Sequence, residues 1–109
     1  MSHHHDHYVY RVLWSEEDQE YLGLCAEFPS LSWLAETQDE AWQGIRRLVA
    51  ECVEDMQANG ETIPVPLTEK RYSGHFQVRI PPEAHRNLAI QAAESGISLN
   101  RLVSFKLTQ

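Results

Sequence analysis

The chain has 109 residues and a formal net charge of −7, a length that suits one modest domain or two small ones. The charge is unevenly spread, because residues 1–68 hold 13 acidic and 3 basic side chains whereas residues 69–109 hold 3 acidic and 6 basic ones. Its 2 cysteines form no Cys-x-x-Cys pair, and no segment reads as a signal peptide or a long apolar span, so a disulfide-stapled secreted domain and a membrane protein are set aside in favour of a cytoplasmic chain with buried free thiols.

The chain opens on His3, His4, His5 and His7, interrupted by Asp6. Neutral imidazoles can bind a transition metal, but no distant cysteine or acidic residue completes a recognisable set. Residues 1–7 are therefore expected to be a mobile end, and no metal is expected. Tyr8 to Trp14 has the aromatic and β-branched content of a strand, and Tyr21 to Phe28 offers a second after the charged break Ser15 to Glu20. A hairpin is the simplest connection. Pro29 bends the chain toward a third strand over Ser32 to Glu36.

Thr37-Gln38-Asp39-Glu40 has the form of a capping box, with acidic residues in the first turn favoured by the helix dipole. Ala41, Trp42, Ile45, Leu48, Val49, Cys52, Val53 and Met56 then recur at helical spacing, which predicts one long helix reaching to Gly60. Such a stripe reads as core rather than as a cofactor site, and no cofactor is expected. Thr62-Ile63-Pro64-Val65-Pro66 is expected as an edge strand, because prolines cannot donate to a central ladder.

This order of elements resembles the N-terminal domain of HicB-type antitoxins. The residues that carry the resemblance are Phe28-Pro29-Ser30-Leu31-Ser32, Thr37 with Glu40-Ala41, and Gly60-Glu61-Thr62-Ile63-Pro64-Val65-Pro66; Ser30 stands where the family's pattern usually has glycine. The resemblance implies an α+β protein whose N-terminal domain is a partly degraded ribonuclease-H-like sheet with one long helix, joined to a DNA-binding domain. It also implies a partner, a small basic HicA-type toxin that cleaves messenger RNA. The acidic first part of the chain suits such a partner, since negative potential raises its encounter rate. Solubility alone would account for the same acids, and the toxin contact is not assigned to particular residues among Glu16, Glu17, Asp18, Glu20 and Glu27.

After a linker at residues 69–73, His75-Phe76-Gln77-Val78-Arg79-Ile80 alternates, with Phe76, Val78 and Ile80 on one face of a strand and His75, Gln77 and Arg79 on the other. Pro81-Pro82 stops strand pairing and opens a helix over Pro82 to Ser95, with an apolar stripe of Ala84, Leu88 and Ala92 beside Ala89 and Ala93. Gly96 suits a left-handed stop, and Ser98 caps a second helix whose apolar positions are Leu99, Leu102, Val103 and Leu107. A unit this small needs help to close a core, and a second copy of the chain is the simplest help.

Phe76-Gln77-Val78-Arg79-Ile80-Pro81, followed by Gly96-Ile97-Ser98-Leu99-Asn100, resembles the ribbon-helix-helix family of dimeric repressors. The resemblance implies a homodimer, with a tetramer as a further assembly, in which His75, Gln77 and Arg79 contact bases of double-stranded operator DNA and Ser98 and Asn100 contact phosphate. The chemistry agrees: a two-stranded ribbon fits the major groove, glutamine suits adenine and arginine suits guanine, and the first turn of a helix presents N–H groups to an anion.

The expected protein is thus not an enzyme. It is an antitoxin of residues 1–68 joined to a ribbon-helix-helix domain of residues 74–109, repressing its own operon. A stand-alone regulator with no toxin partner is the alternative. A metal-dependent nuclease is the third reading, and it is opposed by Tyr8 to Trp14, which carry no Asp or Glu to hold paired metal ions and leave only Asp6 at the margin.

Overall fold

The computed structural model describes residues 4–109, except for the side chain of His4. The chain divides into two units, one through Tyr72 and one from Ser73 to Gln109. It is α+β: a three-stranded antiparallel sheet and three α-helices.

In the first unit, β1 (Tyr10–Ser15) and β2 (Glu20–Cys25) form a hairpin, and β3 (Ser32–Ala35) lies along the other side of β2. The hairpin turns through Gln19, whose φ of 54° lies in the left-handed region. Ser15 Oγ donates to Asp18 Oδ2 (2.8 Å) while accepting from the Asp18 amide (3.3 Å), which closes the charged break as a tight turn. Register places Tyr10 opposite Cys25, Val12 opposite Gly23 and Trp14 opposite Tyr21, and sets Trp33 and Ala35 beside Gly23 and Tyr21. These residues share the face that α1 (Gln38–Ala58) covers.

Helix α1 begins where the capping box predicts. Thr37 Oγ1 accepts from the Glu40 amide at 3.1 Å, and its hydroxyl donates to Glu40 Oε1 at 3.1 Å. Ala41, Ile45, Val49 and Val53 form its buried line, and Ile45, Val49 and Val53 join Tyr8, Cys25 and Phe28 in the core. Leu48, Cys52 and Met56 pack around it. Trp42 departs from the predicted stripe: it is 40% exposed and lies edge-on to Tyr10, 5.8 Å away between ring centres. Both cysteines are free, Cys25 buried and Cys52 half-buried.

Two expectations are corrected here. Residues 62–66 form no strand. With Pro64 and Pro66 lacking N–H groups, side chains hold this segment instead: Tyr8 Oη donates to the Pro64 carbonyl (2.7 Å), and the Leu67 amide donates to Glu27 Oε2 (2.8 Å). Pro66 itself is fully buried. His4–His7, expected within a mobile end, make a 3-10 turn tied to the rest of the unit. Arg46 donates to Asp6 (2.9 Å), Tyr10 Oη to the His5 carbonyl (2.7 Å) and Thr68 Oγ1 to the His7 carbonyl (2.8 Å), and His7 pairs with Glu69. Residues 1–3 of that predicted end lie outside the described residues.

In the second unit, α2 (Pro82–Ser95) ends at Gly96, whose φ of 68° frees its N–H to reach the Ala93 carbonyl while Ile97 N–H reaches that of Ala92. Ser98 then caps α3 (Leu99–Leu107), its Oγ accepting from the Arg101 amide at 3.0 Å. Residues 75–80 have no assigned strand in the single chain. The strand expected there is thus not formed, and among the described residues no other segment pairs with it.

Candidate nucleic-acid interface and partner surface

The second unit buries little apolar surface by itself. Ala92 and Leu102 are its buried hydrophobic residues, whereas Phe76, Val78, Ile80, Ile90, Phe105 and Leu107 are exposed, Phe76 at 68% and Val78 at 65%. So many exposed large apolar side chains on one small unit are the mark of a contact surface. The alternation of residues 75–80 sets these apolar residues against His75, Gln77 and Arg79, all exposed. The approach to this segment is fixed locally: Gly74 has a φ of 82°, and the His75 amide donates to Ser73 Oγ at 3.1 Å.

Ser98 and Asn100 stand at the cap and in the first turn of α3. The Ser98 hydroxyl oxygen is engaged by the Arg101 amide, so it orders the turn, and the remaining free N–H groups of that turn are the ones available to an anion. The predicted residues thus fall into two groups of one unit, polar side chains on an extended segment and the start of a helix. Gln77, Val78 and Arg79 also line a surface depression.

The first unit carries two further surfaces. On the side that α1 covers, the Arg46 guanidinium sits 4.9 Å from the Tyr10 ring centre and 5.5 Å from that of Trp42, and it is bonded to Asp6. Asp6, the one carboxylate on which the nuclease reading leaned, is therefore committed to an arginine. Among the described residues no group of three His, Cys, Asp or Glu side chains could hold a metal ion; His3 of the predicted histidine set, with the side chain of His4, lies outside them. Nor is any helix among these residues long and apolar enough to cross a membrane.

The opposite face of the sheet is open. Leu13 pairs with Leu22 and Leu22 with Leu34, so three leucines stand in one row across all three strands. Arg11, Leu24 and Ser32 form the next row, and Ser15 and Glu20 flank the leucines toward the hairpin turn. Leu13 is 38% and Leu34 41% exposed. Reading the sequence by itself left the partner-contacting residues unassigned, and this row went unnoticed because it depends on register. Its only signal in the sequence was a leucine beside an aromatic residue in each strand: Leu13 by Trp14, Leu22 by Tyr21 and Leu34 by Trp33.

Comparison with known protein families bears on the chain's second part. Residues 58–107 match the model of the HicB family. The match takes in the end of α1, the proline segment and nearly all of the second unit, just under half of the chain. It supports a HicB-type, antitoxin-like identity and, with it, a role related to toxin–antitoxin pairs. Most of the residues that suggested such a family from sequence, those between Phe28 and Ala41, lie before the matched segment, while the motif from Gly60 to Pro66 lies within it. No curated protein and no solved structure matches the chain.

Proposed function

We propose that this protein is an antitoxin that neutralises a HicA-type toxin through its first unit and represses its own operon through its second. The observation that carries the DNA-binding half is the segment His75–Ile80. It sets exposed Phe76, Val78 and Ile80 against exposed His75, Gln77 and Arg79, and it has no strand partner among the described residues. Pairing with the same segment of a second copy across a two-fold axis satisfies both faces. The apolar side chains close against α2 and α3 of the two copies, and the backbone ladder forms between the twins.

The polar face is then a two-stranded ribbon of a width that enters the major groove. Arg79 suits guanine and Gln77 adenine, with His75 beside them, while the first turns of the two α3 helices, with Ser98 and Asn100, take phosphates on either side. Arg79, Arg86, Arg101 and Lys106 supply local positive charge. This attraction is local, since at physiological salt charges more than about 8 Å apart are largely screened from one another.

The test is binding of the purified chain to its own upstream DNA, with and without the product of the adjacent small gene, with mass followed by light scattering. Salt-dependent, sequence-specific binding by a dimer or larger assembly that also captures the neighbouring protein is the expected result. DNA binding without capture would make the chain a stand-alone regulator, and a monomer that binds no DNA would remove the ribbon-helix-helix reading.

A further inference from the structure

We infer that the open face of the sheet docks a basic protein, through the row Leu13–Leu22–Leu34 as its apolar centre and the carboxylates of the hairpin end as its charged rim. The inference rests on the proposed function for the partner's identity, and on the structure for the surface and for the kind of partner that fits it.

The face is defined by what cannot lie on the other side. A Cβ built on Gly23 would stand 2.7 Å from the Ala41 carbonyl and 2.9 Å from Ile45, so Gly23 faces α1, and its neighbours Leu22 and Leu24 point away from the helix. Register extends Leu22 to Leu13 on one side and Leu34 on the other. Among the described residues no element of the first unit covers this row. The two outer leucines are over a third exposed although each sits on a strand, where a solvent-facing position ordinarily carries a polar side chain. A short apolar strip of this kind, rimmed by polar groups, is the anatomy of a contact surface.

Charge decides the occupant. At the hairpin end the row is bordered by Glu20, and the turn that follows β1 carries Glu16, Glu17 and Asp18. Asp18 is held by Ser15, which lies on the Leu13 side of β1, whereas Trp14 Nε1 donates to Glu16 at 2.8 Å and ties that carboxylate toward the face that α1 covers. At the other end stands Arg11. A second copy would bring one arginine against Glu17, Asp18 and Glu20 and leave most of them facing like charge. A partner with lysines or arginines around an apolar patch satisfies both the row and the rim, and the acids would steer it inward from a distance.

The experiment uses the full chain and, as probe, the purified product of the adjacent small gene. Dissociation constants and rates are measured for the unchanged chain, Leu34→Asp, Leu34→Ala, Leu13→Asp, a hairpin variant with Glu16, Glu17 and Glu20 replaced by Gln and Asp18 by Asn, and Glu51→Ala on the exposed side of α1. Circular dichroism verifies that each is folded, and light scattering follows self-association. Leu34→Asp and Leu13→Asp are expected to weaken binding by about 30-fold or more, as for central contact residues. Leu34→Ala should weaken it less, and Glu51→Ala should leave it unchanged. The hairpin variant should slow association and flatten its salt dependence with little effect on dissociation. Equal affinity of the unchanged chain and the folded leucine variants overturns this face while leaving the partner reading intact. Loss of self-association with partner affinity unchanged assigns the face to a second copy and overturns the proposal. No binding by the unchanged chain overturns the partner reading and this inference together.

Discussion

The indole of Trp33 occupies the space that Gly44 leaves on α1: a Cβ built at Gly44 would fall 2.0 Å from Trp33 Nε1. Strand and helix approach each other there over a residue with no side chain, and Arg47 then lies above the same ring, 5.7 Å from its centre. Gly23 makes the corresponding approach from β2, but against a backbone carbonyl and the fully buried Ile45.

The two glycines should therefore differ in their tolerance of a methyl group. Gly44→Ala can be accommodated by displacing Trp33, which is 37% exposed, and gains helix propensity worth up to ~1 kcal/mol. Gly23→Ala meets groups that cannot move aside and should cost the upper part of the ~1–3 kcal/mol typical of overpacking. Urea denaturation checks the order; equal losses, or a smaller loss at Gly23, would contradict the packing described.

Arg79→Ala should weaken binding to the chain's own operator by ~1–3 kcal/mol and relax sequence choice, as expected of an arginine that reads guanine. Fluorescence anisotropy on operator and unrelated duplexes separates the possibilities. A uniform loss on every duplex would place Arg79 on phosphate instead.

Ser98→Ala removes the oxygen that accepts the Arg101 amide and should cost about 0.5–2 kcal/mol of second-unit stability. Because Ser98 also orders the turn proposed to face phosphate, DNA affinity should fall with it. Amide hydrogen exchange in α3 gives the first readout and anisotropy the second; unchanged values in both would take Ser98 out of the site.

Alkaline pH should unfold the first unit early. Burial pushes the Cys25 thiol above its ordinary 9.0 and the Tyr10 phenol above its ordinary 10.0, and Tyr10 also donates to the His5 carbonyl while neutral. The unfolded chain releases these protons first as pH rises. The stability held by the neutral groups is therefore complete below about pH 9 and is lost as pH climbs toward the raised folded values. Tm is expected to fall between about pH 9 and 11, less steeply in Tyr10→Phe; a flat profile in the unchanged chain would show that these groups keep their ordinary affinities for protons.

What local chemistry dictates was legible in the residues. Thr37 with Glu40, Gly96 with Ile97, and Ser98 each act within a few positions of themselves, and they set the start of α1, the end of α2 and the start of α3 as read. What depends on distant partners was not. The proline segment resembles a strand by composition, but its bonds come from Tyr8 and Glu27, 56 and 40 positions away from the residues they hold. Trp42 fits the helical period of the core, yet Tyr10 and Arg46 draw it to the flank. The leucine row belongs to no strand separately and exists only once the register is known. The candidate DNA-contacting residues were nameable because alternation alone divides the two faces of His75–Ile80, while the closure proposed for that segment calls on a second molecule.

Glu27 gives the first unit a property of its own. One carboxylate oxygen takes the Val9 amide (3.0 Å) and the other the Leu67 amide (2.8 Å), and His7 reaches Glu69 beyond them. The backbone that enters the sheet and the backbone that leaves the proline segment are clasped at one point, so this unit is close to a ring. Cutting a ring elsewhere costs little. A version spliced from residue 69 back to residue 7 and opened at the exposed turn near Asp18 should retain its sheet and helix, since permutation is tolerated where the joined ends are neighbours and the new ends are solvated.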